Sequence, residues 1–119
     1  MSEDGLYEVY QREMSQLEEK REEYEWKRRR FDEYREQAHA EMLDDRRQVE
    51  VLLNRWGDCQ DSGILLSEFE ASVEKEYQEL QKREAELQEE HRQIRREQAS
   101  CEDRYYEEQR KIQEELCQE

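Results

Sequence analysis

Three cysteines, Cys59, Cys101 and Cys117, and two histidines, His39 and His91, are the residues in this chain best able to ligate a metal or act as nucleophiles. A structural zinc site needs its ligands in close pairs, and these five are scattered. An odd number of cysteines at irregular spacing is not a disulfide framework, so the thiols are expected to stay reduced and either pack or face solvent. There is no glycine-rich phosphate loop, and no Ser/His/Asp set or Cys/His pair with an orienting carboxylate can be assembled. The many acids recur at helical spacing. Glu79 stands four residues before Arg83, and Glu86 stands beside Glu90 as an unfavourable counterpart. They read as solvated helix faces rather than acid–base pairs. No enzyme activity, cofactor, metal or small-molecule ligand is expected.

One basic set stands out: Arg21, Arg28 and Arg35, each seven residues from the next. The formal net charge is −15, so nucleic acid and anionic lipid would be repelled. No apolar run approaches the roughly 20 residues that span a bilayer. The opening "MSEDGLYEVY" is acidic and is not a secretory signal, which makes the cytoplasm the expected location. Charged residues make up 46% of the 119 and hydrophobic ones 33%, with no proline. Such a chain is either disordered or built of long helices that bury a narrow stripe. Glu, Arg, Gln and Leu, all good helix formers, favour the helices.

A stripe exists. Starting at Tyr7, a 3-4 spacing picks out Tyr10, Met14, Leu17, Arg21, Tyr24, Arg28, Phe31, Arg35, Ala38, Met42, Asp45, Val49, Leu52 and Trp56. This is a heptad repeat, apolar at both ends, with arginines alternating through the middle. A helix of some fifty residues is about 75 Å long and cannot cover its own seam. The second arm supplies the cover: Leu66, Val73, Leu80, Leu87, Ile94 and Cys101 recur every seven residues. Between them fall Glu70, Tyr77, Glu84, His91, Gln98, Tyr105 and Ile112. "SEFE" at Ser67 to Glu70 fits a capping box, although the helix could start slightly earlier, near Ser62.

Between the arms lies "WGDCQDSG". Gly57 suits a left-handed C-cap, and Asp58, Asp61 and Ser62 are turn or N-cap residues. The expected architecture is all-α: a single antiparallel two-helix coiled-coil hairpin over 1–119. Its helices run 5–56 and 64–117, and its hinge of 57–63 is marked by Trp56, Gly57 and Gly63. Folding about Asp61 places Trp56 against Leu66, Val49 against Val73 and Met42 against Leu80. It also places Phe31 against His91, Tyr24 against Gln98, Leu17 against Tyr105 and Tyr10 against Ile112. Trp56 would plug the hairpin tip, touch a partner, or do both.

Buried arginine is costly unless paired. Either the arginine stems pack while their heads reach Glu89, Glu90 or Glu97, or the hairpin is incomplete and other helices complete the layer. Trp26, Tyr34, Leu43, Val51 and Leu53 lie off the first seam and widen the adhesive surface. The expected partner-binding residues are Arg21, Tyr24, Arg28, Phe31, Tyr34, Arg35 and Trp56.

Two long helices with a Trp-Gly step at the bend resemble the WXG-type small helical proteins of type VII secretion. The run "LEEKREEYEWKRRRFDEYREQ", then "LLNRWGDCQDSGILLSEFE", then a Glu/Gln/Arg-rich helix, is similar to small proteins encoded beside LXG toxins in Firmicutes. The resemblance covers most of the chain. It implies a non-catalytic chaperone or targeting partner of the toxin's N-terminal helical LXG domain, with a second small helical targeting protein as a further partner. It also implies action in the cytoplasm or export with the toxin. Only Trp56 and Gly57 carry over by position, as the bend. Two features depart from the pattern. Trp56 and Gly57 are adjacent, where the motif has one residue between. The tyrosine-plus-four acidic export signal is also missing, since Tyr105 is followed by Gln109 and Tyr106 by Arg110. The resemblance then implies that another component carries the signal. Two other classes fit a short charged hairpin: a type III or flagellar secretion stalk or escort, and a self-associating coiled coil forming a four-helix bundle.

Overall fold

The structure is a computed structural model describing residues 2–118. It is an all-α helical hairpin. Helix α1 runs Glu3–Trp56 and helix α2 runs Gln60–Gln118. Acidic residues Glu3 and Asp4 occupy the first turn of α1, and Asp61 that of α2, where the helix dipole favours negative charge. The Ser2 hydroxyl accepts the Gly5 N–H at 3.1 Å, an N-cap for α1.

The helices pair within two compact units. Unit 1 joins α1 up to Lys27 with α2 from Leu87 onward. Tyr10 stacks on Tyr105 with ring centroids 4.3 Å apart, and Tyr24 on His91 at 4.9 Å. Rising numbers in α1 meet falling numbers in α2, so the pairing is antiparallel. Leu6, Leu17, Leu87, Ile94 and Cys101 are buried here, Leu87 completely. Unit 2, Arg28–Glu86, contains the bend. Its pairing is also antiparallel, with Arg28 bonded to Glu84 and Tyr34 to Glu76. Phe31 is its one buried apolar side chain among the described residues.

The bend is tighter than the sequence suggested. Gly57 has φ +70° and donates its N–H to Leu53 O at 2.9 Å, the single bond that closes a helix on a left-handed residue. Helix α2 then starts at Gln60 rather than 64. Cys59 occupies the N-cap, and its carbonyl accepts the first intrahelical bond, from Gly63 at 3.2 Å. Buried Ser62 donates its hydroxyl to Gly57 O at 2.6 Å, tying the first turn of α2 to the end of α1. Gly63, expected in the hinge, therefore belongs to α2, and the Ser67–Glu70 capping box lies inside the helix.

The shorter turn moves the register by one heptad. Tyr105 meets Tyr10, not Leu17, and His91 meets Tyr24, not Phe31. Met42 shares a cleft with Val73, not Leu80. Displacing the bend by three or four residues shifts every facing pair by twice as many. The shifted pairing still sets apolar against apolar at Tyr10 with Tyr105 and at Met42 with Val73.

The inner face of α2 in unit 2 also differs. Ser62, Leu65, Phe69, Val73, Glu76, Leu80 and Glu84 are buried or half-buried, while Leu66, Glu70 and Tyr77 are exposed. The inner positions Ser62, Val73 and Glu84 repeat every eleven residues. A straight helix drifts about 20° per heptad from a seven-residue repeat, and the eleven-residue spacing follows that drift. On α1, Leu6 is buried instead of Tyr7, and the seam positions Arg21, Arg35, Asp45 and Trp56 are exposed.

Candidate functional site

The arginines expected at the buried seam find their acids within the hairpin, but not the expected ones. Arg21 is exposed and pairs along its own helix with Glu18 at 3.6 Å and Glu25 at 3.3 Å. Half-buried Arg28 binds Glu84 across the helix pair and Asp32 at 3.3 Å along its own helix. Arg35 also reaches Asp32 at 3.3 Å. The guanidinium carbons of Arg28 and Arg35 lie 5.9 and 5.5 Å from the Phe31 ring centroid, within cation–π range. Glu90 and Glu97 instead pair with Lys27 at 3.0 Å and Lys20 at 3.2 Å. Glu89 pairs with Arg92 and Arg96 on its own helix. The arginine layer is neutralised from within, so it gives no reason to expect an additional helix.

The other residues singled out from the sequence divide between packing and surface. Phe31 is buried, and Tyr24 is stacked on His91. Tyr34 is 55% exposed and donates its hydroxyl to Glu76 at 3.1 Å. That bond, with the negative charge of Glu76, Glu79 and Glu41, raises the Tyr34 pKa. Trp56 is 47% exposed at the end of α1, so the tip covers about half of it.

The exposed apolar side chains are unevenly placed. Among the described residues Tyr34, Leu43, Val51, Trp56, Ile64, Leu66 and Tyr77 lie in unit 2, while Tyr7, Trp26, Tyr106 and Leu116 lie in unit 1. From Val51 to Leu66 the only ionisable acids and bases of the Asp/Glu/Lys/Arg kind are Arg55, Asp58 and Asp61. Unit 1 buries most of the apolar core. It also holds three of the four interhelical salt bridges among the described residues, namely Lys20 with Glu97, Lys27 with Glu90 and Arg104 with Glu13. Unit 2 has Arg28 with Glu84.

Two cysteines have contrasting surroundings. Cys101 is buried, and its thiol donates to Glu13 at 3.2 Å, an acid that Arg104 also contacts at 3.2 Å. Burial, then the Glu13 carboxylate, push its pKa up. Exposed Cys59 caps α2, with its sulfur 3.2 Å from the Ser62 hydroxyl. That hydroxyl has one hydrogen. Turned to the sulfur it favours thiolate; given to Gly57 O it leaves the sulfur with the backbone N–H groups of Ser62 and Asp61. The balance lowers the Cys59 pKa.

Among the described residues no group of three His, Cys, Asp or Glu side chains is placed to hold a metal ion, and no helix is long and apolar enough to cross a membrane. The position of α2's inner stripe and the N-cap role of Cys59 escaped the sequence reading. The eleven-residue recurrence at Ser62, Val73 and Glu84 was the available signal. Comparison with protein-family models, with curated proteins and with solved structures finds no match to this chain.

Proposed function

We propose that this protein is a non-catalytic binding module that packs its bend-containing unit against helices of another protein. One observation carries this reading: among the described residues, unit 2 exposes seven large apolar side chains against four in unit 1, and buries only Phe31 among its apolar residues. Large apolar side chains left exposed beside so small a buried core are what a partner helix would cover.

The finer reading follows the resemblance of the Trp56–Gly57 bend and its flanking arms. The partner is the helical N-terminal domain of an LXG toxin, and the protein supports that toxin's export from the cytoplasm, with or without leaving alongside it. Co-expression with the LXG protein of a neighbouring gene tests this. A stable complex weakened by Trp56→Ala and Leu66→Ala is expected. Recovery of both proteins separately, each soluble and folded, would remove the proposal.

Self-association through the same surface is the second reading, because a second copy would cover the same apolar residues. The charge of −15 on each chain opposes it. Sedimentation at micromolar concentration separates the two: a monomer leaves the first reading standing and ends the second.

A further inference from the structure

Unit 2 contains a cleft of about 310 Å³ between α1 and α2. Met42, Phe69 and Val73, all half-buried, form its apolar lining, and the small side chains of Ala38 and Ser72 leave room for close approach. Glu41, Asp45 and Glu76 also line it, and no lysine or arginine does. The larger cleft of unit 1, about 490 Å³, differs: Lys20, Arg96 and Arg104 face Glu13 and Glu97, and several are already paired with one another.

Two of the cleft's three acids engage neutral groups. Glu41 accepts from the Gln37 amide at 3.2 Å, and Glu76 from the Tyr34 hydroxyl at 3.1 Å. The hydrogen bond to Glu76, and then the charges of Glu76, Glu79 and Glu41, raise the Tyr34 pKa. An apolar floor bordered by acids of one sign selects a ligand with an apolar stripe and positive flanks. A helix meets that requirement, because residues three and four apart share a face and their neighbours flank it. A second copy of this chain is disfavoured, since it brings a net charge of −15.

We propose that this cleft is a docking groove for an amphipathic basic helix of another protein. The helix sets its apolar stripe on Met42, Phe69 and Val73, and its lysines and arginines against Glu41, Asp45 and Glu76. The proposal rests on the binding-module reading above and names the site and the chemistry of the partner.

The probe is a synthetic helix-forming peptide with a leucine stripe flanked by lysine and arginine, added to the full-length protein. Controls are a scrambled peptide of the same composition and one with glutamate flanks. Only the ordered basic peptide should bind, less tightly as salt is raised, with amide shifts centred on Ala38, Met42 and Val73. The variant E41Q/D45N/E76Q should keep its helicity, since the amide oxygen that replaces the Glu76 carboxylate can still accept from Tyr34. It should weaken binding about tenfold. The matched variant E19Q/E22Q/E23Q removes the same charge from exposed sites on unit 1 and should bind nearly as the parent does.

Equal binding of the scrambled peptide, equal loss in both triple variants, or shifts centred elsewhere would each overturn the groove. So would self-association that E41Q/D45N/E76Q abolishes while the peptide fails to bind. An LXG domain that co-purifies equally with the parent and E41Q/D45N/E76Q removes the groove but keeps the binding module. One that co-purifies with neither removes the LXG reading, and the peptide result then decides the groove alone.

Discussion

At the scale of single residues, Cys59 and Cys101 show how position alone divides one chemistry. The thiolate is the reactive form of cysteine. Cys59 is exposed and its pKa is lowered by donors at the start of α2, whereas Cys101 is buried beside Glu13 and its pKa is raised. Iodoacetamide at neutral pH should therefore modify Cys59 well before Cys101, with mass spectrometry of the peptides identifying each site. Comparable rates in the folded protein would show that the helix end does not activate Cys59.

Glu97 gives a residue-scale pH dependence. Hydrogen bonds from Gln93 and then Lys20 hold its carboxyl below the ordinary value of 4.5. A carboxylate with a depressed folded pKa stabilises the protein above its unfolded pKa, and that contribution is lost as pH falls through the folded value. Glu97→Gln should thus melt below the parent at pH 7, and the two should converge as pH falls through the depressed folded value. A gap that persists at low pH would assign the loss to packing instead.

At the scale of elements, the two glycines near the bend should respond in opposite senses. Gly57 sits at φ +70°, so Gly57→Ala forces a left-handed alanine and should cost about 1 kcal/mol. Gly63 lies in the first turn of α2, and an added Cβ there meets nothing within 4 Å. Gly63→Ala should stabilise by about 0.5–1 kcal/mol, because alanine is the better helix former. Chemical denaturation of both variants tests this, and stabilisation by Gly57→Ala would mean the chain does not turn there.

Much of this level was legible in the sequence. The heptads on both arms, the absence of proline and Gly57 as the end of α1 together specified a helical hairpin. The start of α2 was not legible, because its N-cap is Cys59, an uncommon capping residue, while Ser62 and Ser67 offered familiar ones. That difference displaced the pairing by a heptad, and seven-residue periodicity cannot reveal a displacement of its own length. The arginines misled for another reason. Arg21 and Arg35 turn outward to acids on their own helix while Arg28 reaches across to Glu84, and a repeat pattern does not record where a flexible side chain ends. The cleft was hidden as well, since Glu76 joins Glu41 and Asp45, four apart on α1, only across the pairing.

At the scale of the whole molecule, charge is the dominant feature. With 35 acids against 20 bases, folding gathers negative charge, and mostly exposed ion pairs return little. Added salt screens repulsion over about 10 Å at 0.1 M. The melting temperature of the isolated protein should therefore rise as salt goes from low to moderate concentration. A fall would mean that specific pairs such as Lys27 with Glu90 outweigh the general repulsion.

The brevity of the Gly57–Cys59 connection has a consequence beyond its own geometry. With only three residues between the rods, there is no slack to absorb a change of length. Adding or removing residues at this one point would slide the flanking rungs past each other and redraw the exposed surface, without altering a single side chain in either arm. For a protein of this design, a short insertion at the corner would be a quicker route to a new partner than many substitutions along the arms.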